Sequence, residues 1–247
     1  MSFRPWLLAA AAVFAFALTS TADPPAPPAP GPSARGDAEA PATLTAPAEA
    51  FPVLAWYGVP ETETTAARYR ELADAGFTHS LISVSNADSA FKQLEVGKAT
   101  GVKLVVPCGE LLGDKAEATV KRFKDHPALG AYYVRDEPPA GDFAAVAAQV
   151  KRIQALDDRH PCYVNLLPNY ATTGKAGQLG TDTYQEYVDR FIREVPVPLL
   201  SFDHYPVVAG FGAAGKPALR PEWYENLEIV TAAARKAGKP AWAFALS

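Results

Sequence analysis

Gly130-Ala-Tyr-Tyr-Val134 runs without a break into Arg135-Asp-Glu-Pro-Pro139. The first five residues read as a buried strand, being aromatic, β-branched or small and bounded by turn signals. Pro138 and Pro139 end it and stiffen the exit, because proline has no N–H to offer a ladder. One cation and two carboxylates therefore fall immediately past the C-terminal end of a strand.

Working outward, the same unit repeats. Apolar strands are predicted over 53–57, 80–84, 103–107, 130–134, 162–166, 198–202 and 241–246. Amphipathic helices are predicted between them, over 65–75, 89–100, 116–124, 143–155, 184–194 and 223–236, several of them stopped by Gly76, Gly101 or Gly238. Strict alternation implies parallel strands joined by right-handed crossovers. Strands that are nearly continuous apolar runs are covered on both faces. An open doubly wound sheet and a closed barrel both satisfy this pattern. No G-x-G-x-x-G follows the first strand, and the polar residues gather past strand C-termini, where a barrel keeps its chemistry. The fold class expected is α/β, a (β/α)8 TIM barrel. It is expected to be incomplete, with about seven strands and the eighth missing, since the sequence closes at Ser247 directly after the last one. Residues 51–247 also fall short of the roughly 250 of a typical barrel, which reads as a truncated chain.

The N-terminal region reads differently. Arg4 precedes an apolar run from Leu7 to Leu18, and Ser20-Thr-Ala22 offers small residues for cleavage, so residues 1–22 read as a signal peptide. Residues 23–50 are rich in Pro and Ala with almost no large apolar side chains, a composition that stays extended and buries no core. The domain is expected over 51–247, in a secreted or periplasmic protein. The formal net charge is −4, and the 23 Lys and Arg are dispersed. That argues against nucleic acid as partner, and against a membrane beyond the signal segment. Cys108 falls just past one strand and Cys162 at the start of another, on opposite rims of a parallel barrel. Both are expected to be free, buried thiols. No cofactor is expected. His79, His126, His160 and His204 are scattered without metal-ligand spacing, and there is no G-x-S-x-G nucleophile elbow.

The segment from His126 to Pro138 resembles the strand-four signature of the retaining glycoside hydrolase superfamily whose catalytic carboxylates lie on strands four and seven, in particular β-galactosidase-like bacterial proteins. The resemblance implies that Glu137 is the general acid/base. It implies too that Asp136 stands where the family has an Asn contacting the sugar hydroxyl next to the cleaved bond. Asp accepts hydrogen bonds where Asn also donates, and its charge would raise the Glu137 pKa. Ser201-Phe-Asp-His-Tyr-Pro206 ends strand six. His204 and Tyr205 match by position the rim residues that support the family's nucleophile, and Asp203 is a candidate to orient His204 or bind a hydroxyl. Trp56, Tyr57, Asn86 and Asn165 complete the candidate substrate contacts, with weaker ones at Ser85, Asn169 and Tyr170; Glu110 has no assigned role. Segments 168–182 and 206–221 are long enough to be functional rim loops.

Retaining hydrolysis uses two carboxyls about 5–5.5 Å apart. The resemblance places the nucleophile at the end of strand seven, where this sequence reads Trp242-Ala-Phe-Ala-Leu-Ser247 without a Glu. The polypeptide as given is therefore expected to be inactive, the nucleophile lying beyond it. Three readings stay open. They are a glycosidase acting on oligo- or polysaccharide through Glu137, a non-catalytic carbohydrate-binding barrel, and a Mg2+-dependent barrel enzyme using Asp136 and Glu137.

Overall fold

A computed structural model describes residues 51–209 and 216–244. The signal peptide and Pro/Ala-rich tether expected over 1–50, and the end of the last strand at 245–247, lie outside the described residues.

The expected alternation is present. The strands are β1 (Leu54–Ala55), β2 (His79–Leu81), β3 (Lys103–Val106), β4 (Leu129–Asp136), β5 (Cys162–Leu166), β6 (Leu200–Phe202), β7 (Val207–Val208), β8 (Ala218–Leu219) and β9 (Ala241–Ala243). The helices are α1 (Ala66–Asp74), α2 (Ala87–Thr100), α3 (Ala116–Phe123), α4 (Phe143–Gln154), α5 (Tyr184–Glu194) and α6 (Glu222–Lys236). Seven strands form one parallel sheet in the order β1-β2-β3-β4-β5-β6-β9. Among the described residues no helix is long and apolar enough to cross a membrane.

The sheet is curled. A flat sheet of this width would hold its outer strands roughly 29 Å apart, at about 4.8 Å per step. Instead Trp56, just past β1, and Phe244, just past β9, bring their rings to 4.7 Å. His79 of β2 and Trp242 of β9 approach to 6.1 Å across the interior. The fold is thus an incomplete TIM barrel, with an inner and an outer apolar layer. The inner layer is Val105, Ala131, Tyr163 and Leu199, packed by Trp56, Tyr133 and Trp242. The outer, larger layer lies between sheet and helices and includes Leu104, Tyr132, Phe143, Val164, Tyr187 and Phe202.

The helices start where the sequence provides caps. Thr65, Asn86 and Thr183 accept backbone N–H groups at the starts of α1, α2 and α5. Asn86 takes the amides of both Asp88 and Ser89 at 3.0 Å, so α2 begins two residues before its expected start. Two expected boundaries also shift. The first strand, expected over 53–57, pairs only at Leu54 and Ala55. The second, expected over 80–84, pairs at His79–Leu81. The segment 206–221 is not a plain loop: Val207–Val208 and Ala218–Leu219 pair antiparallel. The intervening residues 210–215 are outside the description. Cys108 and Cys162 are free and buried, as expected from their places on the strands.

Candidate active site

The site grows from an irregularity in β4. Tyr133 pairs with Tyr163 of β5, but the next pairs are Arg135 with Val164 and Asp136 with Asn165. One extra residue on β4 makes a bulge. Simple alternation from the inward Tyr133 would turn Asp136 outward, because side chains reverse face at every residue. The bulge corrects the phase by one. Asp136 then shares the inner face with Tyr133, and Arg135 lies outside, where its Nη2 reaches Asp142 Oδ2 at 3.1 Å ahead of α4.

The ladder continues one residue further, the N–H of Glu137 donating to Asn165 O at 2.9 Å. Glu137 has φ +43°, the only positive φ outside glycine among the described residues. That left-handed conformation is disfavoured for a residue with a Cβ and persists only where the surroundings over-determine it. They do so here. The Tyr187 hydroxyl donates to Pro138 O at 2.7 Å, Arg190 donates to Ala140 O at 3.2 Å, and the Ala140 N–H donates to Leu179 O at 2.9 Å.

This backbone turns the Glu137 side chain toward Asp203, the first residue past β6. Asp203 is buried, with 6% of its surface exposed, and its N–H bonds Leu166 O at 3.3 Å. Its carboxyl lies near enough to Glu137 and Asp136 to feel the charges of both. Asp203 Oδ1 has no hydrogen-bond partner among the described residues. Burial, then the charges of Glu137 and Asp136, push the Asp203 carboxyl up to about 8. Burial also raises Glu137; the hydrogen bond from Asp203 opposes this and the Asp136 charge adds to it. Two carboxyls in contact away from water cannot both ionise readily, so such a pair keeps one proton well above the usual carboxylate range.

Asp136 is held separately. Asn165 Nδ2 donates to its Oδ1 at 3.2 Å. Asn165 Oδ1 accepts from Ser201 Oγ at 3.1 Å, and Ser201 Oγ bonds the Tyr163 hydroxyl at 2.5 Å. Asn165 and Ser201 are both buried, so this chain of neutral donors fixes one carboxylate without a cation.

The other expected residues divide by position. Trp56 packs in the barrel interior, with its ring centroid 5.8 Å from Tyr133 and 6.3 Å from Tyr163. Tyr205 is 39% exposed and its ring stands 6.4 Å from Phe244. Tyr57 is 89% exposed. His204 is completely buried between Tyr170 and Trp223, 4.9 and 5.1 Å away, and neither ring nitrogen has a protein partner. Burial, then the Arg220 charge, lowers its pKa and keeps it neutral. Arg220 lies over the Tyr170 ring at 4.3 Å. Asn86 is occupied as the α2 cap. Asn169 is tied to α6 through Asn226 Oδ1 and Glu222 O. Glu110 accepts from the Ala87 N–H and from Cys108 Sγ. Ser201 and Tyr163 belong to the site's framework but stand in the sequence as ordinary strand residues.

Among the described residues no group of three or more His, Cys, Asp or Glu side chains has the arrangement of a metal centre.

No known protein family matches the sequence, and no curated protein matches it significantly. Solved structures with a similar fold include an endo-1,4-beta-mannanase from Eisenia fetida, 11% identical over 73% of this chain and 77% of that one, TM-score 0.43. A beta-1,4-mannanase from the sea hare Aplysia kurodai is 11% identical over 72% and 79%, TM-score 0.42. The C-terminal domain of ChiA from Legionella pneumophila is 15% identical over 68% and 61%, TM-score 0.39.

Proposed function

We propose that the chain is the barrel of a carbohydrate-active protein that hydrolyses O-glycosidic bonds in oligo- or polysaccharides, with Glu137 as general acid/base. The observation that carries this is the placement of Glu137. It is a carboxyl at the C-terminal end of a barrel strand, held in a strained conformation with its pKa raised. Barrel enzymes keep catalytic groups at that end, and a general acid must hold its proton near neutral pH. The exposed rings of Tyr57 and Tyr205 suit a ligand with apolar ring faces and many hydroxyls. Asp136, fixed by Asn165, is the hydrogen-bond acceptor next to the acid.

In this reading residues 1–22 direct the protein out of the cytoplasm, where polysaccharide is met. Hydrolysis by the full-length protein of a panel of nitrophenyl glycosides and plant and microbial polysaccharides tests it. Turnover should fall 10²–10⁴-fold in Glu137→Gln, the usual worth of a positioned acid/base. Equal turnover in the variant sinks the assignment.

A second reading, a barrel that binds carbohydrate without cleaving it, is favoured by the last strand and its exit, where Trp242 of β9 and Phe244 just past it stand with no carboxylate among the described residues there. It predicts oligosaccharide binding by calorimetry with no release of reducing ends.

A further inference from the structure

We infer that Arg220 is a specificity residue at the barrel mouth: its guanidinium, braced on the Tyr170 ring and without a carboxylate partner among the described residues, receives the carboxylate of an acidic sugar. The ligand class is therefore a glycan containing uronic acid. This assignment rests on the carbohydrate-active reading above and names the kind of sugar that the same mouth takes.

The placement comes from the fold. Arg220 directly follows β8 and precedes α6. Its N–H donates to Pro206 O at 2.7 Å, and its carbonyl accepts from the Trp223 N–H at 3.2 Å. This segment leaves β6, and Tyr170 lies in the loop that leaves β5. Both therefore belong to the rim past the strand C-termini, as Glu137 and Asp203 do. The guanidinium carbon stands 4.3 Å from the centroid of the Tyr170 ring, and stacking on an aromatic face fixes the plane of the fork. Other arginines near this rim are satisfied. Arg135 pairs with Asp142, and Arg190 with Glu194 and the Ala140 carbonyl. Among the described residues Arg220 forms no ion pair, not even with Glu222 at the start of α6, and its Nε is buried without a hydrogen-bond partner. A partly desolvated cation with unmet donors is costly until something supplies acceptors.

The chemistry of the occupant follows from the fork. A rigid, planar set of N–H donors matches a carboxylate, which accepts two parallel bonds. Hydroxyls of a neutral sugar offer single, uncharged acceptors instead. The side chains packed around Tyr170 add aromatic surface: His204 lies 4.9 Å from its ring, and Trp223 stands 5.1 Å from His204 on the other side. Elsewhere the mouth is acidic, with Asp136, Glu137 and Asp203 at or just past the ends of β4 and β6. A ligand carboxylate turned that way meets like charge, so Arg220 selects the orientation of the sugar as well as its class.

The experiment is calorimetric binding by the full-length protein, with Arg220→Gln and Arg220→Lys alongside. The probes are galacturonate and glucuronate oligosaccharides, each compared with the same oligosaccharide after its carboxyls are reduced to alcohols. The wild type should bind the acidic forms at least about tenfold more tightly, the worth of a charge-assisted contact, and the preference should weaken as salt is added. Arg220→Gln should abolish the preference and leave the weaker binding of the reduced forms unchanged, which also shows that the variant is folded. Arg220→Lys should keep part of it, having the charge without the fork. Should Arg220→Gln bind neither form, Arg220→Lys decides, and an undiminished preference there overturns the inference. So does equal or tighter binding of the reduced forms by the wild type, an acid preference that survives in Arg220→Gln, or binding of no acidic probe. Hydrolysis of neutral glycans alone would uphold the proposed function and refute the uronate assignment. Acidic glycans bound as described but not cleaved would refute hydrolysis and leave the assignment intact.

Discussion

Asp136 and Asn165 are register partners across β4 and β5, and the Asn165 amide donates to the Asp136 carboxylate at 3.2 Å. The relationship depends on the bulge that brings Asp136 to the inner face. It also depends on Ser201, whose hydroxyl donates to the other end of the same amide at 3.1 Å. A fully buried amide used at both ends leaves partners stranded when removed.

Asn165→Leu should therefore destabilise the fold by about 1–3 kcal/mol, the cost of leaving buried polar groups unmade. Urea denaturation monitored by tryptophan fluorescence reads this as a lower midpoint. Asn165→Asp should cost more at neutral pH than at pH 4, because it sets a second carboxylate against Asp136. Equal losses at both pH values would contradict this account of the contact.

Gly58 lies where the chain after β1 crosses β2. A Cβ added there would overlap Ser80 Oγ and come within 2.5 Å of Leu81 O. The obstruction includes backbone, and Gly58 N already bonds Leu81 O at 3.3 Å. Gly58→Ala should destabilise by about 1–3 kcal/mol, the usual penalty of overpacking. Gly109→Ala, where a Cβ meets nothing within 4 Å, should be within about 0.5 kcal/mol of wild type. Thermal melts of the two variants provide the comparison.

Acid sensitivity should come from the opposite rim. Asp157 is buried and accepts from the Tyr132 hydroxyl at 2.7 Å, His160 Nδ1 at 2.8 Å and the Arg159 N–H at 3.1 Å. Burial raises its carboxyl, but these bonds outweigh burial and hold the pKa below the ordinary value. A depressed carboxyl stabilises the fold above its unfolded pKa, near 3.9, and that stabilisation is lost as pH falls through the folded value. Asp157→Asn should cost about 1.5–3 kcal/mol at pH 7 and progressively less below pH 4. A constant difference between pH 7 and pH 3 would show that the charge is not what stabilises.

How much of this was readable from sequence varies by level. The repeating apolar strands and amphipathic helices gave the parallel barrel, since each apolar run is long enough to declare burial on both faces. Glu137 was legible because it directly follows a strand and precedes Pro138. The bulge was not, because register is a relation between β4 and β5 that neither strand encodes alone. Without it the alternation places Asp136 on the wrong face. The contact between Glu137 and Asp203 was also hidden. Asp203 was a candidate for orienting His204 or binding a hydroxyl; in the structure it lies near the carboxyl of a residue 66 positions earlier, whose charge helps raise its pKa. Asn86 has the composition of a sugar ligand but also stands at a helix start, and its capping geometry decides how its oxygen is used. The short pairing of Val207–Val208 with Ala218–Leu219 carries too few residues for a period-two signal.

The two thiols offer a check on burial itself. Burial pushes both Cys108 and Cys162 up to about 12, so neither supplies thiolate at neutral pH. A chromogenic disulfide reagent should label neither cysteine in the native protein at pH 8, and both after denaturation. Fast labelling of the native protein would contradict the described packing.

The central claim is that Glu137 donates the proton to the departing sugar oxygen, and dependence on the leaving group tests it most directly. Full-length wild type and Glu137→Gln should be compared on aryl glycosides with good leaving groups and on alkyl or oligosaccharide substrates with poor ones. The account predicts a loss of about 10²–10⁴-fold on the poor leaving groups and a much smaller loss on activated aryl glycosides, which depart without a proton. An equal loss on both classes, or no loss on either, would contradict it.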